Sequence, residues 1–348
     1  MKLGYFQMNS LEITAPVRVD FAGGTLDIYP LYLLLESAFT LNVSLELKVK
    51  VKITEGEKLH KITSCDLNKH LEFGNETPII KGDLESFQRA VKFFSPTKTL
   101  NITLSSPLPA GSGLGASSAL LIALMAGLNK ITEKNYSFTE LIDYTANIEA
   151  QSLKTLTGKQ DYIASVYGGI NFIKFGLKGW AVEALEIQDF YKTLEDYVIL
   201  YFTGKSHSSG KVNWEVVKAF LDGKPSVISA FKEIKKITKH MKEAFITKDI
   251  QAIAYWLNAE SNYRKSLYTT IYPVWVEEII NDVKKLGGFA AKVCGAGGGG
   301  SILFIVPPIN KEKVINYLQD NKGGGGEVLP FKITPEGIKI ISSKKEDV

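Results

Sequence analysis

The chain has 348 residues, 45% of them hydrophobic, which is enough for two domains or one large one. Its 41 basic and 37 acidic residues leave a net charge of +4 and form no basic run, so the composition does not indicate a nucleic-acid-binding protein. The chain has only two cysteines and no apolar run of ~18 residues. Residues Met1 to Ser10 lack the charged-then-apolar pattern of a signal peptide, so we expect none. We expect a cytoplasmic monomer or homodimer without nucleic-acid or membrane partners.

Strands dominate the predicted elements of the first half of the chain. Apolar and β-branched residues at period two predict strands, and apolar residues at helical spacing predict helices. The predicted strands cover 11–19, 38–54, 59–64, 100–104 and 170–175. The predicted helices cover 83–94, 119–128, 137–154 and 160–167.

Helices dominate the second half of the chain. The predicted helices cover 212–221, 226–246, 249–265, 273–286 and 311–320. The predicted strands cover 197–202, 290–293 and 302–306, and two more strands lie in 327–341 around a turn at 335–337.

Strands and helices that do not alternate regularly predict an α+β fold rather than a doubly wound sheet. The change of pattern near 180–200 divides the chain into an N-terminal domain, 1–195, and a C-terminal domain, 196–348. A cleft between two such domains is a common place for a ligand.

A run rich in glycine and serine, from Pro109 to Ala119, lies between the predicted strand 100–104 and an apolar helix. Glycines let the backbone approach a ligand closely, and the N–H groups and dipole of the following helix favour an anion. A phosphate is the natural occupant, which indicates nucleotide binding. The alternative is a glycine-rich turn in which Ser117 or Ser118 caps the helix.

Two familiar phosphate loops do not match this run. A P-loop requires Lys and then Ser or Thr after its last glycine, but Ala116 and Ser117 follow Gly115. The dinucleotide fingerprint G-x-G-x-x-G fails because Gly111, Gly113 and Gly115 are evenly spaced. The run therefore belongs to neither class.

Two further glycine motifs lie near the ends of the chain. The segment 15–27 is a strand that ends in a Gly-Gly turn and presents Arg18, Asp20 and Asp27. Its alternative is a surface turn with a solvated salt bridge. The segment 292–301 contains at least five glycines between two apolar strands, which argues against its alternative, a flexible linker.

Together, and in this order, the three motifs resemble those of the GHMP kinases, a superfamily that includes galactokinase, homoserine kinase, mevalonate kinase and phosphomevalonate kinase. The resemblance covers nearly the whole chain, from Ala15 to about Ile341. It implies an N-terminal domain like ribosomal protein S5 domain 2 and a ferredoxin-like C-terminal domain. It rests on the Pro, Gly-Leu-Gly, Ser-Ser-Ala order in 109–119, the Arg-x-Asp-x-Ala-Gly-Gly-x-x-Asp form of 18–27 and the Gly-Ala-Gly-Gly-Gly-Gly form of 295–300.

The resemblance also implies roles for individual residues. Asp161 would accept the proton of the acceptor hydroxyl or orient that hydroxyl, with Arg18 beside it, and Ser118 and Glu149 would hold Mg²⁺. The alternatives are a solvated helix position for Glu149 and a helix cap for Asp161. ATP would bind to Pro109, Ala110, Gly111, Ser112, Gly113, Leu114, Gly115, Ala116, Ser117 and Ser118. The acceptor would bind to Asp20, Gly23, Gly24, Asp27, Gly295, Gly297 and Gly298.

The form of the first motif resembles heptose 7-phosphate kinases and fucokinases, although Thr25 and Leu26 replace a usual Gly-Thr. A sugar or sugar phosphate is the expected acceptor: first D-glycero-D-manno-heptose 7-phosphate at its anomeric hydroxyl, then L-fucose or galactose, and third a mevalonate-type molecule. His207, Arg264 and Lys265 would hold an acceptor phosphate, or else form a solvated basic face. A non-catalytic nucleotide-binding regulator is a further alternative, which the intact acidic residues argue against.

Overall fold

The computed structural model describes residues 10–205, 209–320 and 325–343. Within them the strands are β1 (Ser10–Ala22), β2 (Ser37–Glu55), β3 (His60–Ser64), β4 (Lys69–Phe73), β5 (Leu100–Ser105), β6 (Ile170–Gly176), β7 (Gly179–Ala184), β8 (Val198–Phe202), β9 (Ala290–Val293), β10 (Ser301–Ile305), β11 (Glu327–Leu329) and β12 (Lys339–Ser343). The helices are α1 (Leu31–Leu34), α2 (Glu85–Phe94), α3 (Ala116–Thr132), α4 (Phe138–Leu153), α5 (Gln160–Tyr167), α6 (Tyr191–Tyr197), α7 (Ser209–Leu221), α8 (Pro225–Ile246), α9 (Ile250–Lys265), α10 (Val274–Lys285) and α11 (Pro308–Asp320), with a 3₁₀ turn at Gln188–Phe190.

The first sheet is built around the long strand β2. In the described chain, β12, β1, β2, β5, β3 and β4 lie side by side in this order, and β6 and β7 extend the sheet from β2. The first half of β2 pairs with β6 and the second half with β5. β1 pairs with β2 along most of its length, whereas β12 pairs only with residues Ser10 to Thr14 of β1. Among the described strands, Asp20 near the carboxyl end of β1 therefore has a neighbour only on the β2 side.

Helix α3 is apolar on every side because it is buried in the core of this first unit. Every residue from Ser118 to Leu128 is buried, as expected for a helix without a polar face. The helix packs on β1, β2, α2 and α4. Gly127 permits close contact with β1, since a Cβ there would stand 2.7 Å from Cδ1 of Ile13. This packing fixes the start of α3 relative to β1.

The second sheet is antiparallel, with the order β11, β8, β10 and β9 among the described strands. Helix α9 packs on β9 and on α8, and α8 also packs on β1 and β2, so these helices join the two sheets. The face of α8 that makes these contacts is apolar and buried at helical spacing, as at Phe231, Ile234 and Met241. Of the helices described, none combines the length and the apolar character needed to cross a membrane.

The α+β class is confirmed, and most of the predicted elements are present within a few residues of their predicted bounds. The sequence pattern missed β4 and β7. Both strands expose most of their side chains, and each has only two apolar residues on its inner face, Leu71 and Phe73 in β4 and Trp180 and Val182 in β7. Two alternating apolar residues are too short a run for period-two patterning to identify a strand.

The two strands of the tail are present, but they belong to different sheets. β11 pairs with β8 in the second sheet, whereas β12 pairs with β1 in the first. The chain therefore passes from one sheet to the other between Leu329 and Lys339. The boundary between 1–195 and 196–348 stays a prediction, and the last strand of the second segment is part of the first sheet.

The substitution Gly337→Ala is expected to loosen this tail. A Cβ at Gly337 would stand 1.9 Å from the carbonyl oxygen of Val166, so one of the two backbones would have to move. Overpacking of this kind typically costs about 1–3 kcal/mol, and urea denaturation should show a loss of that size in the free energy of unfolding. The control is Gly74→Ala, where the nearest atom is a side-chain carbon at 3.5 Å. Equal stability losses in both variants would contradict the close contact.

Candidate active site

A cavity of about 530 Å³ opens where the carboxyl end of β1 meets the loop that precedes α3. All three glycine motifs contribute to its wall, and so do α4 and α5. The predicted site residues that line it are Arg18, Gly24, Asp27, Pro109, Ala110, Gly111, Ser112, Gly113, Gly115, Ala116, Ser117, Ser118, Glu149, Asp161 and Gly295. The structure therefore brings three expected groups of residues around one cavity. They are the loop 109–118, called the phosphate loop below, the expected Mg²⁺ ligands Ser118 and Glu149, and the expected catalytic residues Arg18 and Asp161.

The loop before α3 turns through three glycines with left-handed backbone. Gly111, Gly113 and Gly115 have φ of 75°, 78° and 77°, which explains their even spacing. Gly115 is the N-cap of α3, and no side chain caps this helix. The alternative in which Ser117 or Ser118 is the cap is therefore wrong. The first turn of α3 lines the cavity, where its free N–H groups favour an anion.

The C-terminal glycine segment packs directly on this loop. A Cβ at Gly295 would stand 3.0 Å from the carbonyl oxygen of Gly113, and a Cβ at Gly300 would stand 3.0 Å from that of Ser112. Gly295 and Gly300 both have positive φ, 67° and 72°. The turn between β9 and β10 can rest on the phosphate loop because it carries no side chains at these two points.

Arg18 and Asp161 form an ion pair at the cavity wall. Nη2 of Arg18 lies 2.7 Å from Oδ1 of Asp161, and Nη1 donates to the carbonyl oxygen of Gly113 at 2.8 Å. Burial alone would lower the pKa of Arg18, but Asp161 and then Asp20 raise it above its ordinary value. The cap of α5 is Lys159, so Asp161 is not the helix cap. The pair thus presents a fixed positive group and a carboxylate beside the phosphate loop.

Glu149 is held inside a ring of hydroxyl groups. Ser118 Oγ donates to Oε1 of Glu149 at 3.0 Å, Thr157 Oγ1 donates to Oε2 at 3.0 Å, and the hydroxyl of Tyr162 also donates to Oε2. Burial raises the pKa of Glu149 in spite of these hydrogen bonds. Glu149 is therefore a buried member of the cavity wall rather than a solvated position on α4.

The pair of Ser118 and Glu149 suits a magnesium ion. No group of three or more His, Cys, Asp or Glu side chains suited to a metal occurs in the described parts of the chain. A hydroxyl and one carboxylate nevertheless give Mg²⁺ the oxygen ligands that it prefers, with water and substrate phosphates as its other ligands. The buried carboxyl of Glu149 would gain a positive partner, so the donor set fits.

Asp27 lines the cavity near Asp161. Its Oδ2 accepts a hydrogen bond from the backbone N of Gln160 at 3.0 Å. A Cβ at Gly158 would stand 2.0 Å from the same oxygen, so glycine is required there. Burial, with a further contribution from Asp161, raises the pKa of Asp27 to about 6. Its contact with acceptor hydroxyls stays a prediction.

Some predicted ligand-binding residues lie behind the cavity wall. Their direct contact with a ligand stays a prediction, whereas the structure gives them supporting contacts. The carboxylate of Asp20 is bound by Nζ of Lys292, and a Cβ at Gly297 would stand 2.4 Å from Cγ2 of Ile271. The residues of this group are Asp20, Gly23, Leu114, Gly297 and Gly298.

The structure corrects the suggestion that Arg264 and Lys265 hold an acceptor phosphate. Arg264 is buried, lies 2.6 Å from Glu260 and donates to the carbonyl oxygen of Gly24 at 2.8 Å, so it supports the Gly-Gly turn. It is not part of a solvated basic face either. Lys265 lies 2.9 Å from Glu277, away from the cavity wall. His207 lies outside the described residues.

Sequence reasoning missed several residues of the site. Tyr162 and Thr157 hold Glu149, and no motif marks either of them. Lys292 was visible as a lysine within an apolar strand, which signals a buried partner for its charge. One polar part of the wall also carries no motif; it comprises Ser64, Asp66, Asp83 and Ser86.

An anion loop at a helix N-terminus, an Arg–Asp pair and a hydroxyl–carboxylate pair around one cavity define a phosphotransferase that uses a nucleoside triphosphate. Family models for the GHMP kinases N terminal domain and for GHMP kinases C terminal match residues 79–169 and 241–323, together half of the chain. The chain therefore belongs to the GHMP kinase family. It is an ATP-dependent kinase that phosphorylates an alcohol group.

Relatives and solved structures match the chain over nearly its whole length. The chain is 29% identical over 347 residues to D-glycero-alpha-D-manno-heptose 7-phosphate kinase of Campylobacter jejuni subsp. jejuni, covering 95% of this chain and 99% of the relative. A D-glycero-D-manno-heptose 1-phosphate kinase from Bacteroides thetaiotaomicron shares its fold with a TM-score of 0.77, 23% identity and coverage of 96% and 100%. Lactococcus lactis galactokinase complexed with galactose does so with a TM-score of 0.75, 16% identity and coverage of 96% and 95%.

Asp27 is expected to make the stability of the fold depend on pH. Folding raises its pKa from an ordinary value of 3.8 to about 6, so the folded state binds this proton more tightly. Protonated Asp27 therefore adds roughly 3 kcal/mol to the free energy of unfolding well below pH 4, and this contribution is lost as the pH rises through 6. Between pH 4.5 and pH 7 the loss is roughly 2 kcal/mol. This contribution is absent from Asp27→Asn. Urea denaturation of both proteins at about pH 4.5 and pH 7 measures it, and equal pH dependence in the two would contradict the burial of this charge.

Proposed function

We propose that the protein transfers the γ-phosphoryl group of ATP to the anomeric hydroxyl of a sugar, with D-glycero-D-manno-heptose 7-phosphate as the first candidate. The observation that carries the proposal is the Arg18–Asp161 pair at the cavity wall, beside the N-terminus of α3. The heptose 7-phosphate kinase that is 29% identical over 95% of the chain supports this acceptor. A free sugar such as L-fucose or galactose is the second candidate, supported by the fold shared with galactokinase.

The cavity offers separate walls to the two substrates. One wall, with Gly24, Asp27 and Gln160, adjoins Asp161. The other wall lies at the carboxyl end of β3, three strands from β1 in the sheet, and includes Ser64. With the triphosphate on the glycine loop, the sugar would lie on the first wall and the nucleoside on the second.

The chemistry requires a positioned hydroxyl and neutralisation of the phosphate charge. Asp161 would accept the proton of the acceptor hydroxyl, or would orient that hydroxyl, while the hydroxyl oxygen attacks the γ-phosphorus. The bond from the γ-phosphorus to the bridging oxygen breaks, and ADP leaves. Arg18 and the N–H groups at the start of α3 would stabilise the charge of the transferring group.

Magnesium is proposed as the metal, with Ser118 and Glu149 as its protein ligands. When bound, Mg²⁺ would neutralise charge on the β- and γ-phosphates of ATP. Glu149 keeps its orientation through Thr157 and Tyr162, which hold Oε2. The carboxylate therefore stays turned towards Ser118 at the end of the phosphate loop.

We also propose that the protein works in the reducing cytoplasm on a small sugar or sugar phosphate, as a monomer or homodimer. Cys65 and Cys294 are free thiols, as the reducing environment allows. Burial raises the pKa of Cys294 to about 12, so that its thiol stays protonated and has no role as a nucleophile.

Coupled ATP turnover with Mg²⁺ tests the proposed acceptor. The panel consists of heptose 7-phosphate, L-fucose, galactose, mannose and mevalonate. We expect the highest kcat/KM with heptose 7-phosphate, and loss of turnover when EDTA removes the metal. Turnover with one free sugar alone would replace the first acceptor by the second. Turnover with mevalonate alone would contradict sugar phosphorylation at this site. ATP binding without turnover on any member would indicate an acceptor outside the panel or a non-catalytic nucleotide-binding regulator.

Asp161→Asn tests the catalytic assignment. The amide can still accept the hydrogen bond of Arg18, but it cannot take a proton, so we expect kcat to fall by about 10²–10⁴-fold while ATP binding persists. Initial rates and calorimetric titration with a non-hydrolysable ATP analogue give the two quantities. Asp222→Asn, at an exposed pair with Lys218 on α7, is the control. Turnover near the normal rate in Asp161→Asn would remove Asp161 from the mechanism.

A further inference from the structure

Lys292 is a fully buried lysine in the four-residue strand β9. Its Nζ donates to the carboxylate of Asp20 and, at 3.0 Å, to the backbone carbonyl oxygen of the same residue. An ammonium group is costly to bury, and a buried ion pair often stabilises no more than apolar side chains would. The presence of this pair therefore suggests a role besides stability.

Asp20 lies between two cations that matter to the site. Arg18 and Asp20 are two residues apart on β1 and so project from the same face of the strand. Burial alone would raise the pKa of Asp20, but Lys292, Arg264 and Arg18 lower it, so the carboxylate is charged. Asp161, Arg18, Asp20 and Lys292 thus form a row of alternating charges from the cavity to the second sheet.

The three cations around Asp20 differ in the other groups that they bind. Arg264 is bound to Glu260 and to the turn at Gly24, as described above. The guanidinium of Arg18 is bound to Asp161, and the nearby carboxylate of Asp20 also raises the pKa of Arg18. Without Lys292, the carboxylate of Asp20 would compete with Asp161 for the guanidinium of Arg18.

We propose that Lys292 is a positioning residue for phosphoryl transfer: it occupies the Asp20 carboxylate and so leaves Arg18 to Asp161 and the transferring phosphate. The proposal rests on the proposed function of the Arg18–Asp161 pair. Lys292 does not line the cavity, so it would act through Asp20 and Arg18 rather than by contact with a substrate. Gly295, three residues after Lys292, also holds the Asp20 carboxylate, because the backbone N–H of Gly295 donates to Oδ1 of Asp20 at 3.4 Å.

The test compares Lys292→Gln with the double variant Asp20→Asn/Lys292→Gln. Glutamine keeps one donor for Asp20 but removes the positive charge, so we expect Arg18 to turn towards Asp20. A displacement of the Arg18 guanidinium by about 1 Å is expected to lower kcat by about 100-fold. The KM for ATP should change little. In the double variant no charge attracts Arg18, and kcat at saturating acceptor is expected to exceed that of Lys292→Gln by about tenfold. Any contact of Asp20 with the acceptor would affect the KM for the acceptor instead.

A crystal structure of each variant gives a readout that does not depend on the acceptor. The 2.8 Å distance from Nε of Arg18 to Oδ1 of Asp161 should lengthen in Lys292→Gln and return in the double variant. The matched control is Asp189→Asn/Lys248→Gln, which removes an exposed Lys–Asp pair that lines no part of the cavity. This control should keep the wild-type kcat.

The outcomes separate this proposal from the proposed function. A wild-type enzyme without turnover on any acceptor would overturn the proposed function, while the Arg18–Asp161 distance would still decide the role of Lys292. Folded Lys292→Gln with wild-type kcat and an unchanged Arg18–Asp161 distance would overturn the positioning role. Failure of both variants to fold, shown by circular dichroism, would assign the ion pair to stability and overturn it as well.

Discussion

Two glycine-rich loops meet backbone to backbone at the cavity, and the geometry of the site depends on that contact. Gly295 lies against Gly113, and Gly300 lies against Ser112, so closely that a Cβ at either glycine would stand 3.0 Å from a backbone carbonyl oxygen of the loop. The turn between β9 and β10 therefore rests on the loop before α3, and both sheets reach one cavity. Because β9 runs into this turn, the same contact brings Lys292 to the carboxyl end of β1.

The charges around the cavity follow from this packing. Arg18 is paired with Asp161, Asp20 is paired with Lys292, and Glu149 accepts hydrogen bonds from three hydroxyl groups. Removing one partner of a buried ion pair leaves the other charge without compensation and typically lowers the free energy of unfolding by roughly 3–5 kcal/mol. These acidic groups thus have partners within the protein, and the N–H groups at the start of α3 stay free for the phosphates that we propose bind there.

Local patterns predict an element well where its residues have one structural explanation. The alternation over 38–54 predicts a single strand, and β2 covers Ser37–Glu55. The even spacing of glycines in 111–115 indicates an unusual backbone, which the positive φ values confirm. Strand β7 is missed because it has only two alternating apolar residues, Trp180 and Val182. The sheet that each strand of the tail joins depends on pairing that no local pattern records.

By itself the sequence determined the kinase family, through the resemblance of three short motifs, and it predicted a phosphate-binding loop and the candidate acids, because such motifs are local properties of the chain. Only the tertiary structure decided which carboxylates face the cavity. Asp161 meets Arg18 at the wall, whereas Asp20 is turned to a lysine 272 residues away. Charge pairing between distant segments makes this difference, since the cost of burying a charge depends on its neighbours in space and not on its place in a motif.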